Sequence, residues 1–515
     1  MTRSVVLFWG CTRGGLGRQM NLAGVEVEQL LGQQAARGGP REASSASSSA
    51  LVQERRWRRL PRRGRDGGCQ VLVEKILRVQ PGVTKLFLLV RATNDESARH
   101  RIQTEVTRRE IFQVLREKYV NGFGDFIQEK VCPLAGDVIY EDLGLDTARL
   151  KELSKNIDIV VNGAATTNFY ERYDVAFDTN VLGAKHMYAF ANKCIKLKML
   201  LHVSTAYVSG EQEGLILEKP FIMGETLREG THLDVQSELN LIKHTKMELN
   251  SNSATEKAER KTMKELGLKR ARHFGWPNTY VFTKAMGEML LGHLQGDLPV
   301  VIVRPSIITS IFKEPLPGWI EGVRTIDSVI LGYAKQALKF FLVDPDAIID
   351  VIPGDMVANP FSVLPVDELV DMTSSVGVKI GDNMFSDASS SLSESIVVSG
   401  NSVQIVMWIN EVWLMKEQDG LLLDIDGAST PGKNVHEIHL LECQGHYGSW
   451  EKEITVARLR TYMVIKYKLP LEVLHLVNVA LCGLFSRRYN ELSRKYRLAM
   501  HLIELYAPYT LFKGR

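Results

Sequence analysis

An α/β fold, a doubly wound parallel sheet with a helical domain at its C-terminal end, is what this sequence predicts. Three observations predict it. Short, uniformly apolar runs alternate with amphipathic segments between about residues 69 and 310, as buried parallel strands and their covering helices do. Small and hydroxyl-bearing residues follow several of those runs, where open α/β sheets hold their ligands. A dense helical pattern resumes after Trp450 and continues to Arg515.

The elements follow in order. Residues 1–68 stand apart: "ASSASSSA" and "RRWRRLPRRGRDGG" are Ser- and Arg-rich, and they offer too little apolar area to offset ordering. They read as a disordered leader, with a transit peptide as the other reading. From Cys69, "VLVEKILRVQ" has apolar positions at helical spacing. "KLFLLVRA" is a buried strand, "ARHRIQTEVTRREIFQVLREKY" one charged amphipathic helix, and "VCPLAGDV" a strand and loop. Helix "TARLKELSKN", strand "IDIVVNGAA", helix "NVLGAKHMYAFANKC" and strand "LKMLLHVSTAYVSG" come next, and "LPVVIVRPSII" adds a strand after a helix beginning near Tyr280. Residues 69–360 therefore form one α/β unit. Residues 361–450 lose the rhythm, with "SDASSSLSES" a low-complexity loop, and residues 451–515 form the helical unit.

Composition bounds the function. A chain of 515 residues with a formal net charge of +3 points neither to nucleic acid nor to an acidic polymer. The charge is uneven, since residues 1–68 hold twelve Arg, no Lys and five acids, which leaves the remainder mildly acidic. Cys11, Cys69, Cys132, Cys194, Cys443 and Cys482 lie far apart, a pattern of buried free thiols rather than of a metal site or disulfide scaffold. The most apolar stretch, Pro470 to Phe485, is interrupted by Glu472, His475 and Asn478. It reads as an amphipathic helix that packs on protein or rests on a membrane face.

The chemistry concentrates in "GWPNTYVFTKAMGEMLL". Tyr280 and Lys284 are four apart and share one helix face. A free phenol, with a pKa of about 10, is a poor acid at neutral pH, and a neighbouring ammonium is expected to lower it. The same ammonium can hold a ribose hydroxyl. Upstream, "LLHVSTAYVSG" ends a strand with Ser204 and Thr205, and the Thr205 hydroxyl can bond a substrate oxygen while Tyr280 donates to it. Ser and Thr also favour strand ends for purely structural reasons. Five further residues fit a dinucleotide site. Arg91 ends "LFLLVRA" where an acid would select NAD, so it suits the 2′-phosphate of NADP. Asp137 in "PLAGDV" can accept from adenine, or is a turn residue. "VVNGAATTNF" sets Asn162 and Ala164, beside Gly163 and Ala165, where backbone can approach a cofactor. Asn180 in "FDTNVLGA" is a helix cap, a prop for the Tyr/Lys pair, or both.

Taken in order and spacing, "LFLLVRA", "GDV", "VVNGAATTNF", "NVLGAK", "HVSTAYVSG", "GWPNTYVFTKAMGE" and "VIVRPSII" resemble the plant fatty acyl-CoA reductases, over roughly residues 70–360 and 455–515. These are extended short-chain dehydrogenase/reductases with a Rossmann-like sheet. The resemblance implies reduction of a long-chain acyl-CoA, or acyl-carrier-protein thioester, to a primary alcohol through an aldehyde, with NADPH. It makes Tyr280, Lys284 and Thr205 the catalytic set and implies a place on the endoplasmic reticulum surface or in the cytoplasm, with plastids as a further option. One departure falls on the phosphate loop. The family opens with a strand and a Gly-rich turn, which let backbone N–H groups hold the pyrophosphate. Here "RRGRDGGCQ" precedes Val71, and the nearest look-alike is "VVLFWGCTRGGLGR" at residues 5–18, more than fifty residues upstream. Two other readings follow: a reductase of another small substrate, and a homologue impaired in catalysis.

Overall fold

The structure, a computed structural model, describes residues 3–8, most of 69–320, residues 351–363, 393–399 and 402–409, and most of 461–497. Ten strands are found among them. β1 (Arg3–Phe8) is followed by α1 (Cys69–Val79), whose Val73, Ile76 and Leu77 face the core. β2 (Val83–Val90), α2 (Asp95–Ile102), α3 (Gln113–Lys118), α4 (Phe123–Lys130) and β3 (Val131–Ala135) complete the first half. The second half comprises α5 (Thr147–Asn156), β4 (Ile159–Asn162), α6 (Gly183–Ala191) and β5 (Met199–Val203). It continues through α7 (Val235–Ser251), α8 (Glu256–His273), α9 (Thr279–Leu294) and β6 (Val300–Pro305). β7 (Ile307–Thr309) pairs with β8 (Val351–Pro353) in a small parallel sheet, and α10 (Gly354–Val363) follows it.

The main sheet has eight strands in the order β3-β2-β1-β4-β5-β6, then β10 (Ser402–Ile409) and β9 (Ser393–Ser399). Among its described strands only the β9–β10 pair is antiparallel. The order reverses at β1 and β4, where a doubly wound sheet opens a crevice beyond its carboxyl edge. β6 is buried at every position, as a parallel strand covered on both faces must be. α9 lies against α6 and the turn before it and brings Tyr280 and Lys284 to that edge.

Three expectations are corrected here. Residues 3–8, assigned to a disordered leader, form the central strand: Val5 pairs with Leu86 on one side and Ile159 on the other. Six apolar-rich residues suffice for a strand once two neighbours satisfy their backbone, whatever the composition around them. Residues 9–68, with the Gly-rich look-alike, lie outside the described residues. The single charged helix over 98–119 is broken by a wide turn (Gln103–Thr107) and a tight one (Glu110–Phe112). In a straight helix Val106 would face away from Ile111, Phe112 and Leu115, and the break lets all four be buried. Arg116 satisfies the freed carbonyls of Thr107 and Arg109. Lastly, Ser393–Ser395, read within a low-complexity loop, open β9, where Ser395 pairs with Val406.

Glu74, on α1, is buried and ion-paired to Arg78 at 2.8 Å. Burial pushes its carboxyl up from 4.5 to about 7, against the pull of Arg78. The folded pKa exceeds the unfolded one, so the folded state binds this proton more tightly. The stability that this carboxyl contributes is therefore fully present below about pH 4.5 and is lost as pH rises through about 7, by at most about 3 kcal/mol. Glu74→Gln is expected to flatten that decline, which urea midpoints at about pH 5 and about pH 8 will measure.

In the C-terminal unit, α11 (Leu469–Ala480) is followed by a helical stretch over 486–494. His475 stacks on Tyr489 with ring centroids 4.9 Å apart, and the Asn478 side chain accepts from the Phe485 N–H at 2.8 Å. Among the described residues no helix is long and apolar enough to cross a membrane.

Candidate active site

β5 ends at Val203 and the chain turns at once. Thr205 caps the short turn Ala206–Ser209, its hydroxyl accepting from the Tyr207 N–H at 3.4 Å. The entry to α9 is equally local. Gly275 sits at φ +99°, where any Cβ would meet Leu227 at 2.9 Å. Trp276 is buried and its indole N–H donates to Val208 O at 2.7 Å, tying this entry to the Thr205 turn. Asn278 then caps the helix, accepting from the Val281 N–H at 3.2 Å.

Tyr280 and Thr205 share a hydrogen bond across these two turns. Phe169, which follows β4, stacks on the Tyr280 ring with centroids 5.9 Å apart. Part of Tyr280 stays open to solvent, while its phenol end is enclosed. Burial pushes that phenol up to about 12, against the pull of Thr205. One expectation changes here: Lys284 does not lower the phenol. Its Nζ donates to Val203 O at 2.6 Å and lies 3.1 Å from His202 Nε2, while burial pushes the amine down to about 8, countered by Glu288. Desolvation outweighs the lysine's charge at this site.

Asn180 is not a helix cap. It lies in the wide turn Phe177–Leu182, accepts from the Thr166 N–H at 3.0 Å and donates to Thr283 Oγ1 at 2.9 Å. It thus ties the chain after β4 to α9 between Tyr280 and Lys284. Asn162 ends β4, accepting from the Ala164 N–H at 3.2 Å and meeting His202 Nδ1 at 3.0 Å. Arg91 and Asp137 are brought together, Nε to Oδ2 at 2.6 Å. Arg91 Nε has no aligned hydrogen-bond partner among the described residues, so this is a charge contact. With its Nε turned to Asp137, the Arg91 guanidinium can meet a nucleotide phosphate only through its outer nitrogens. The buried Ser204 hydroxyl likewise has no partner among the described residues.

His202, Phe169, Glu288 and Arg304 escaped the sequence reading. A polar residue inside "KMLLHVST" was the available signal for His202, because a buried imidazole needs partners. Arg304, at the end of β6, is buried and donates to Glu288 Oε2 at 2.5 Å and to Lys219 O at 3.0 Å. This pair joins α9 to the sheet one turn beyond Lys284. Gly287 lies beside it, and a Cβ there would meet Asn180 O at 2.5 Å. Gly287→Ala gains about 1 kcal/mol of helix propensity but collides with backbone, which costs about 1–3 kcal/mol. Net destabilisation is expected, with activity falling by more than the folded fraction does; thermal melts and activity assays of Gly287→Ala will check it.

A doubly wound sheet in this strand order, with a Tyr-x-x-x-Lys helix and a hydroxyl at the end of β5, defines a nicotinamide-cofactor reductase of the extended short-chain dehydrogenase/reductase type. An NAD-binding family described as male sterility protein matches residues 69–361. The chain is 43% identical over 451 residues to an alcohol-forming fatty acyl-CoA reductase of Simmondsia chinensis, covering 86% of this chain and 84% of that protein. It is 44% identical over 451 residues to a probable fatty acyl-CoA reductase 4 of Arabidopsis thaliana, with the same coverage of 86% and 84%. A chloroplastic fatty acyl-CoA reductase 2 of Arabidopsis thaliana is 45% identical over 297 residues, 56% of this chain and 48% of that one. Among solved structures, a reductase domain of a non-ribosomal peptide synthetase from Mycobacterium tuberculosis is similar at 16% identity and TM-score 0.43, covering 90% of this chain and 76% of that one. The chain belongs to the fatty acyl-CoA reductase family.

Proposed function

We propose that this chain reduces long-chain fatty acyl-CoA to primary fatty alcohol with NADPH, through an aldehyde. The observation that carries this reading is the Tyr280–Thr205 hydrogen bond beside a buried Lys284. NADPH would be held by Arg91 at the 2′-phosphate, by Asp137 near adenine, by the Asn162–Ala164 turn, and by Tyr280 and Lys284 at the ribose, with Asn180 bracing the last two. The cofactor supplies hydride. Tyr280 and Thr205 direct their hydroxyls at the thioester oxygen and stabilise its developing charge, in an enclosed site where such bonds are strongest. Tyr280 gives up its proton there as general acid. The resulting thiohemiacetal expels the CoA thiol, and the same two hydroxyls serve the aldehyde in a second round.

The test is incubation of the full chain with stearoyl-CoA and NADPH, with alcohol and aldehyde resolved by gas chromatography. Two NADPH oxidised per CoA released, with octadecanol as product, is expected. One per CoA, with aldehyde accumulating, would confine the enzyme to the first reduction. No NADPH affinity would favour the impaired homologue, and acyl-carrier-protein thioesters in place of acyl-CoA test the donor.

For location we propose peripheral attachment to the endoplasmic reticulum surface. Leu469, Val473, Leu476 and Val479 of α11 are large apolar side chains more than half exposed. Flotation of the chain with liposomes tests it, and loss of flotation in Leu476→Asp is expected.

A further inference from the structure

Lys284 is buried, and so is the imidazole that its amine meets. His202 and Asn162 are each at most 2% exposed, and the three side chains form a line that ends on the backbone N–H of Ala164. The chemistry of that line has one consistent proton arrangement. The Ala164 N–H can only donate, so the Asn162 oxygen must face it. The Asn162 amide nitrogen, a donor, is then what faces His202 Nδ1 at 3.0 Å. Nδ1 must accept, and a neutral imidazole that accepts at Nδ1 carries its proton on Nε2. Nε2 lies 3.1 Å from Lys284 Nζ.

We propose that the Ala164–Asn162 pair fixes the tautomer of His202, so that His202 presents an N–H, and not a lone pair, to Lys284. His202 is thereby a positioning residue that favours the amine form of Lys284, which accepts from Nε2–H and donates to Val203 O at 2.6 Å. The opposite tautomer would need the Asn162 amide turned over, which sets its NH2 against the Ala164 N–H and orphans a buried donor. Burial acts in the same sense, holding the imidazole neutral and the lysine near 8. The other charged groups near Lys284 do not reverse this. Glu288, on its own helix, favours the ammonium but is held by Arg304 of β6. On the neighbouring α6, His186 is engaged by Val138 O at 2.9 Å, and Asp178 before it interacts with Asp174, Lys246, His186 and Lys243. On the catalytic reading given above, Lys284 is thus a group poised to change charge near working pH and not a permanent cation.

Two measurements on the full chain test this. Ring-15N labelling of the histidines, with His202→Leu to assign the missing signal, reads the tautomer directly. An Nε2–H imidazole is expected, and an Nδ1–H imidazole overturns the proposal. Lysine ε-13C titration, with Lys284→Met for assignment, reads the consequence. Removing a facing N–H in His202→Leu is expected to raise the Lys284 midpoint by about one pH unit and to carry the basic limb of kcat with it. A fall would mean that the imidazole had offered a lone pair and would overturn the proposal, as would an unmoved midpoint. Should His202→Leu fail to fold, the signal is assigned instead from Asn162→Asp, whose carboxylate perturbs the adjacent ring, and the wild-type tautomer decides alone. Neither titration depends on turnover, so a chain that makes no alcohol sinks the functional reading and leaves this one standing.

Discussion

Tyr280→Phe is expected to lower fatty alcohol formation by about a hundred- to ten-thousandfold, the range a positioned general acid supplies. The replacement keeps the ring, so its stacking on Phe169 and the entry to α9 survive. What it removes is a single hydroxyl that burial holds protonated, pushed up to about 12. An acid with so high a pKa is never lost to ionisation at working pH, so its own titration sets no limb of the rate profile. Lys284, brought down to about 8, sets the basic one. Activity should therefore fall as pH rises through about 8 in the wild type. NADPH affinity, read by protein fluorescence, should change much less in Tyr280→Phe than in a variant of Lys284. Wild-type alcohol output from Tyr280→Phe would remove Tyr280 from the chemistry.

The parts of this architecture that were legible in the chain are those encoded locally. "TARLKELSKN" is helical over the range its periodicity implies, because Asp146 caps it and Leu153 buries on one face. The Tyr/Lys helix and the hydroxyl at the end of β5 were legible because each depends on residues within one turn. Pairing across the sheet was not. Arg91 and Asp137 each read as a cofactor ligand, but nothing local reveals that β2 and β3 end side by side and bring the two charges together. His202 and Lys284 are 82 positions apart, and their contact exists only because α9 crosses β5. β1 was legible only as a look-alike of the family's opening strand, for a different reason. Its strand signal is six residues long in a stretch whose Arg- and Ser-rich composition argues the other way, and only β2 and β4 supply the partners that decide it.

Arg304→Met should have the largest effect on stability, an expected loss of about 3–5 kcal/mol. Both partners of the Arg304–Glu288 pair are almost wholly buried, at 2% and 0% side-chain exposure. Removing the guanidinium leaves the Glu288 carboxylate without its counter-ion in a site where solvent cannot replace it. It also removes the bond to the Lys219 carbonyl. The double variant Arg304→Met, Glu288→Leu removes both charges, and it should recover much of the loss, since a matched apolar pair avoids the desolvation penalty of either ion alone. Urea unfolding of the three variants measures the coupling. Recovery of stability need not restore turnover. Glu288 is also the charge that favours the ammonium form of Lys284, so the double variant should fold and yet lose its activity at a lower pH than the wild type. A double variant no more stable than the single one would mean that the pair holds α9 to β6 by geometry, through the shape of the guanidinium fork, more than by charge.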